Sequence, residues 1–222
     1  QPRPVLFTHS RGHYPTERIE AEIRALAANY SLLLKKKIDE RLIEIDADDT
    51  SHFVLYNALG ISTQEGKLID AYQNKGRFLY RYAGAFLEAA ARLCFLERHP
   101  GSKPARVTNT LGSRPKTFEI DCLVGTDAIE IKWRDATTDG DHVAKEHSRI
   151  RVISAAGFTP IRVMFFYPNR AQAIRIQQAL ESLYDAIGGQ YHHGDNAWAY
   201  IADRTGVDLR GILKILADEY EG

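Results

Sequence analysis

The stretch Thr117-Phe118-Glu119-Ile120-Asp121-Cys122-Leu123-Val124-Gly125-Thr126-Asp127-Ala128-Ile129-Glu130-Ile131-Lys132-Trp133 decides the fold. Thr117 to Val124 and Ala128 to Trp133 alternate with period two, which predicts two strands. Gly125-Thr126 suits the two-residue turn between them, with Gly first as type II′ prefers. Val124 then pairs with Asp127. Counting outward sets Asp121 opposite Glu130 and Glu119 opposite Lys132. Period two puts these four on one face. Phe118, Ile120, Cys122, Ile129, Ile131 and Trp133 take the other, as a core face.

Directly opposed carboxylates repel and weaken a hairpin. A divalent cation would offset that repulsion, since hard ions such as Mg²⁺ prefer carboxylate oxygens and retain waters. Such an ion can organise in-line attack of water on a phosphodiester. Lys132, two residues from Glu130, can hold the attacking water or offset charge on the phosphate. The competing reading is a surface hairpin in which Glu119 and Lys132 form an ordinary cross-strand pair.

Upstream of the hairpin the pattern is helical. Thr16 can cap a long helix after a short loop. Ile19, Ile23, Leu26, Tyr30 and Leu33 form a heptad-like seam in it, interrupted by Lys35-Lys36-Lys37. The seam either faces the core or makes a dimer contact. A short helix from about Ser51 to Leu59 ends at Gly60. Ser62 and Glu65 have capping-box spacing and open a third. Gly76 is expected to separate it from another, Arg77 to Glu97, whose small residues permit close packing on a sheet. Arg106 to Leu111 reads as a strand.

Downstream, Asp139 or Asp141 can cap a helix to Ala156, with Gly157 as its stop. Ile161 to Tyr167 reads as a buried strand. Asn169 caps a helix to about Ile187. Residues 188–194 read as a polar loop, followed by two short helices. From Arg77 the order is helix, three strands, helix, strand. That is an α/β (α+β) architecture with a mixed central sheet flanked by helices. The expected division is an N-terminal helical region (1–75), a core (76–190) and a C-terminal helical hairpin (191–222), within one compact domain.

Composition excludes several classes. With 44% hydrophobic and 26% charged residues, the 222-residue chain reads as an ordinary globule. Lys and Arg balance Asp and Glu, 29 against 29, so net charge neither suggests nor excludes a nucleic-acid partner. Cys94 and Cys122 read as reduced core residues. No apolar run approaches ~18 residues, so no membrane span is expected. Gln1-Pro2-Arg3-Pro4 does not read as a signal peptide. The missing initial Met suggests trimming or processing. A cytoplasmic, prokaryotic protein is the expectation.

Ile120-Asp121 followed by Glu130-Ile131-Lys132 resembles the PD-(D/E)xK nuclease signature, with Ile120 in place of its proline. The element order resembles that superfamily's αβββαβ core. The run Glu130-Ile131-Lys132-Trp133-Arg134-Asp135-Ala136-Thr137-Thr138-Asp139-Gly140-Asp141-His142 resembles more closely the ApaLI-type type II restriction endonucleases. The similarity continues through Lys145-Glu146-His147 and Pro160-Ile161-Arg162-Val163-Met164. It covers most of the chain, most clearly from Gly112 to Tyr184.

The resemblance implies that Asp121 and Glu130 ligate Mg²⁺, with the Ile131 carbonyl as a third ligand, and that Lys132 is the catalytic lysine. It implies double-stranded DNA cut at a short palindromic site, within a restriction–modification system whose cognate DNA methyltransferase is a functional partner. Hydrolysis should leave 5′-phosphate and 3′-hydroxyl ends. A palindrome implies a twofold homodimer, since protein symmetry mirrors that of the site. The long N-terminal helix is the first candidate for its interface.

Related nucleases carry a further acid on the helix before the sheet. Glu88 is the candidate, although Arg81 and Arg92 on its helical face offer an ordinary ion pair instead. Glu119 is an alternative accessory acid. His142, Lys145 and Arg149 form a stripe at three- and four-residue spacing on the helix after the hairpin. They read as DNA contacts or as a solvated face. Arg114, Lys116 and Arg134 flank the hairpin as candidate phosphate contacts.

His142 and His147 do not share a helical face, which argues against zinc. Asp135 to Asp141 is too short and irregular for an EF-hand loop. His192-His193 reads as loop. Ile201-Ala202, Gly206-Val207 and Ile212, with Arg210 and Lys214 beyond, have the spacing of a helix-turn-helix, but a plain helical hairpin shares it. Two rivals stand beside restriction: a repair or junction-resolving nuclease without sequence preference, and a non-catalytic DNA-binding regulator.

Overall fold

A computed structural model describes residues 16–112, 114–134 and 141–221, without the side chains of Thr16, Asp141 and His142. The expected loop before Thr16, the Thr16 and Asp139 caps and the acidic run at 135–140 lie outside it.

Helices α1 (Thr16–Asp46) and α3 (Thr63–Arg98) pack together, with the short α2 (Phe53–Ala58) between them in sequence. Only the first turns of the α1 seam reach the core: Ile19 and Ile23 are buried, whereas Leu33 is exposed. Gly60 leaves α2 with φ 84°. Ser62 caps α3, its hydroxyl accepting the Glu65 N–H at 3.2 Å. Gly76 does not divide the next segment. α3 runs unbroken for 36 residues, because a helical glycine costs only about 1 kcal/mol and good helix formers flank it.

The C-terminal half of α3 buries Leu87, Ala90, Ala91, Cys94 and Phe95. Its approach to the sheet is close. A Cβ at Gly84 would lie 2.9 Å from Cδ1 of Trp133, so the helix rests there on the indole.

The sheet has five strands in the order β1 (Lys103–Thr108), β2 (Thr117–Val124), β3 (Asp127–Arg134), β4 (Thr159–Phe166) and β5 (Gln190–His193). β1, β2 and β3 pair antiparallel; β3 with β4 and β4 with β5 pair parallel. The hairpin turn is as expected, with Val124 paired to Asp127 and Gly125 at φ 60°. β5 occupies the segment read as a polar loop. Its four residues carry no strand pattern of their own and extend because they pair with Ile161–Met164 of β4.

One irregularity departs from strict alternation. Lys103 pairs with Leu123 but Ala105 with Ile120, so three steps on β2 match two on β1. This is a β-bulge. Cys122 packs with the α3 residues, whereas Ile120 packs with Ala128 and Ile153 on the other side of the sheet. The shared core face expected for Ile120 and Cys122 is therefore interrupted, and Asp121 sits where it breaks.

α3 and α6 (Asp195–Thr205) cover one face of the sheet. α4 (Asp141–Ala155) and α5 (Ala171–Ala186) cover the other. α5 begins after Arg170 without a side-chain cap, not at Asn169. Gly206, at φ 75°, turns the chain from α6 into α7 (Leu209–Glu221). Ile201, Val207 and Ile212 from this pair are buried in the main core. Among the described residues no helix is long and apolar enough to cross a membrane.

Candidate active site

Backbone pairing of β2 with β3 covers Val124–Asp127, Leu123–Ala128 and Cys122–Ile129. Next outward come Asp121 and Glu130. Here a side chain replaces the ladder: Asp121 Oδ2 accepts the Ile131 N–H at 2.8 Å. Burial first, and the neighbouring charge of Glu130 second, push the Asp121 carboxyl up to about 7. Lys132 and the Ile131 N–H oppose that rise without cancelling it. The two acids thus feel each other across the strands.

Glu130 is buried, at 7% exposure. Burial alone would raise its carboxyl, but Arg149 and Lys132 outweigh that and hold it below the ordinary range. Lys132 Nζ lies 2.5 Å from Oε1, and the Arg149 guanidinium pairs with Oε2. Burial would depress the Lys132 ammonium; Glu130 and Asp121 raise it instead, so it is charged at neutral pH. Asp121, Glu130 and Lys132 are therefore one electrostatic unit.

Behind Glu130 lies a second layer. Glu146 Oε1 accepts from Arg149 Nη1 at 3.0 Å and from the Tyr184 hydroxyl at 2.7 Å, and it forms an ion pair with Arg162 Nη1 at 3.3 Å. Arg162, at 2% exposure in mid-β4, has no hydrogen-bond partner at Nε or Nη1 among the described residues. The cluster holds three acids (Asp121, Glu130, Glu146) and three bases (Lys132, Arg149, Arg162). Opposite charges balance in it, which is what allows such burial.

Glu146, Arg162 and Tyr184 are the members that pattern reading misses. A signal was present: a single arginine inside the otherwise apolar run Ile161 to Tyr167 must find a buried acid.

Other candidates take different places. Arg149 does not join a solvated stripe with Lys145. Lys145 is exposed, but Arg149 is only 8% exposed and turned inward. Its carboxylate partners stand where phosphates were expected, because α4 presents that face to the sheet. Side-chain description of His142 lies outside the described residues. Glu119 does not meet Lys132: it accepts from Arg106 Nε of β1 at 3.0 Å, since Arg106 is its paired neighbour across the bulged edge.

Glu88 Oε1 lies 3.4 Å from Arg92 Nη1, and both line a cleft of about 480 Å³ that reaches Asp121. The ion pair and the placement near the site are both observed. Arg114, Lys116 and Arg134 are exposed. Arg134 stacks over Tyr80 and Trp133, at 5.0 and 5.4 Å from the ring centroids. His192 and His193 belong to strand β5; His192 stacks on Tyr200 at 4.3 Å and His193 lies tilted against Tyr167 at 4.2 Å. Arg210 pairs with Asp195 at 2.7 Å.

No three His, Cys, Asp or Glu side chains converge as a ligand set among the described residues. A pair of carboxylates suits Mg²⁺, which takes one or two of them and keeps its waters. Asp121 and Glu130 are hard oxygen donors whose mutual repulsion a cation would relieve.

By family the chain is a restriction endonuclease, and hence a nuclease and a hydrolase. It belongs to the ApaLI-like restriction endonuclease family, whose model matches residues 14–218. Comparison with curated proteins and with solved structures yields no match.

Proposed function

We propose that this protein is a Mg²⁺-dependent type II restriction endonuclease that cuts double-stranded DNA at a short palindromic site. The observation that carries the reading is the coupled pair Asp121 and Glu130, with Lys132 in contact with Glu130. Asp121 and Glu130 would hold the ion, with the Ile131 carbonyl, and with Glu88 contributing from the cleft side. When bound, Mg²⁺ supplies positive charge to the phosphate and orients water. Lys132 leaves Glu130 to hold the attacking water or the non-bridging phosphate oxygen. In-line displacement at phosphorus then breaks the bond to the 3′-oxygen and leaves 5′-phosphate and 3′-hydroxyl ends. Arg114, Lys116, Arg134, Lys145 and His142 are the proposed DNA contacts.

A palindromic site calls for a twofold homodimer. The outer part of the packed pair α1 and α3 supports one, since Leu32, Ile43, Leu68, Ile69, Tyr72 and Leu79 are all exposed there. The enzyme would act beside a methyltransferase that protects the host's copies of the site.

Plasmid DNA incubated with the protein and Mg²⁺, followed by sequencing of the fragment ends, tests this. Discrete fragments sharing one end sequence are expected, and none from Asp121→Asn. A smear, or cutting confined to branched DNA, would overturn site specificity. DNA binding without cutting would overturn the enzyme reading.

A further inference from the structure

The acids on β2 and β3 need a fixed separation, yet the backbone ladder between those strands has no register pair beyond Cys122–Ile129. Asp121 Oδ2 itself takes the Ile131 N–H there, and a side chain from outside both strands bridges them at the same level. Arg149 Nη2 donates to the Glu119 carbonyl on β2 at 2.9 Å and pairs with the Glu130 carboxylate on β3. Its other terminal nitrogen, Nη1, is held by Glu146 on its own helix at 3.0 Å. The guanidinium is planar and rigid, so fixing one end fixes the other. Glu146 is itself anchored by Arg162 on β4 and Tyr184 on α5.

The geometry points to Arg149 as a positioning residue: it clamps β2 to β3 where their ladder lapses, and so sets the gap between Asp121 and Glu130. It also occupies Oε2 of Glu130, leaving Oε1, now on Lys132, as the oxygen available toward Asp121. This rests on the reading of Asp121 and Glu130 as the cation-holding acids.

Electrostatics and positioning predict opposite signs. Removing a buried positive charge beside two carboxylates should by itself tighten binding of a divalent cation. Losing the clamp should weaken it. The experiment is a titration of the full-length protein with Mn²⁺, read by the electron paramagnetic resonance signal of the free ion. Wild type, Asp121→Asn, Arg149→Gln, Arg149→Lys and Glu146→Gln are compared, with thermal melts as the folding control. The expected result is a loss of about tenfold or more in Mn²⁺ affinity for both Arg149 variants. Lysine keeps the charge but has no fork to reach both strands. Glu146→Gln should fall between them and wild type.

Equal or tighter Mn²⁺ binding by Arg149→Gln, with Asp121→Asn still deficient, would overturn the clamp and leave the site standing. Wild-type affinity in Asp121→Asn would overturn the site reading, and the clamp with it. Should Arg149→Gln not fold, Arg149→Lys, which retains the buried charge, carries the same comparison.

Discussion

Ile120 packs toward Ile153 of α4, whereas Cys122, two residues along the same strand, packs among the residues of α3. The bulge that separates them holds Asp121 between the faces, close to Glu130 and at the mouth of the cleft that contains Glu88. An acid in that position is under electrostatic load. Its folded pKa of about 7 exceeds the ordinary 3.8. A raised carboxyl contributes most below the unfolded pKa and loses that contribution as pH rises toward 7. Asp121→Asn should therefore abolish cleavage while raising the melting temperature at pH 8 and barely changing it at pH 4. Melting curves at the two pH values check this; a lower melting temperature at pH 8 would contradict it.

Lys132 pairs with Glu130, and its charge also acts on Asp121. Lys132→Met keeps much of the stem and removes the ammonium. Its kcat should fall on the order of 10²–10³-fold, the usual loss for one transition-state contact. KM for DNA should move far less, because the exposed arginines and lysines remain. Steady-state kinetics on a short duplex separate the two constants.

Gly84 lies against Trp133, where a methyl group would come within 2.9 Å of a ring carbon. Alanine would gain about 1 kcal/mol of helix propensity, but overpacking costs about 1–3 kcal/mol. The indole has little room to yield, since Tyr80 and Phe166 pack edge-on to it at 5.3 and 6.4 Å. Gly84→Ala should thus lower stability in denaturant titration. Shrinking the ring in Gly84→Ala/Trp133→Leu should make the alanine less harmful than it is alone.

Glu146 shows the opposite behaviour to Asp121. Burial raises its carboxyl, but Arg149 and Arg162 overcome this and hold it at about 2, against an ordinary 4.5. A depressed acid contributes fully above its unfolded pKa and loses that contribution as pH falls through the folded one. Stability should therefore drop between pH 4.5 and 2. In Glu146→Gln that acid limb should be shallower, on a lower neutral plateau. Urea titrations across the range measure it; an unchanged acid slope would remove Glu146 from the account.

The hairpin was legible because two local signals agree, alternation on both strands and a glycine where the turn needs φ 60°. The acid pair followed from counting. The bulge did not, because it exists only in the match between β2 and β1. Arg149 misled for a related reason: helical spacing groups side chains, but which group faces the sheet depends on a buried acid on the preceding strand. β5 is extended by its neighbour, against a sequence with no period of its own. The continuity of α3 through Gly76 was hidden because a single glycine is a weak stop when both flanks favour helix.

That continuity has a mechanical consequence. Thirty-six residues at 1.5 Å each make a rod about 54 Å long. Its far half bears the bare apolar side chains, and its near half carries Glu88 and rests on Trp133. With no joint at Gly76, torque applied at one end arrives at the other. Inserting one residue between Gly76 and Gly84 would rotate the far half by about 100° against the catalytic body. In the proposed homodimer, two such rods meeting across a dyad would then aim the proposed cutting centres along different lines on the duplex.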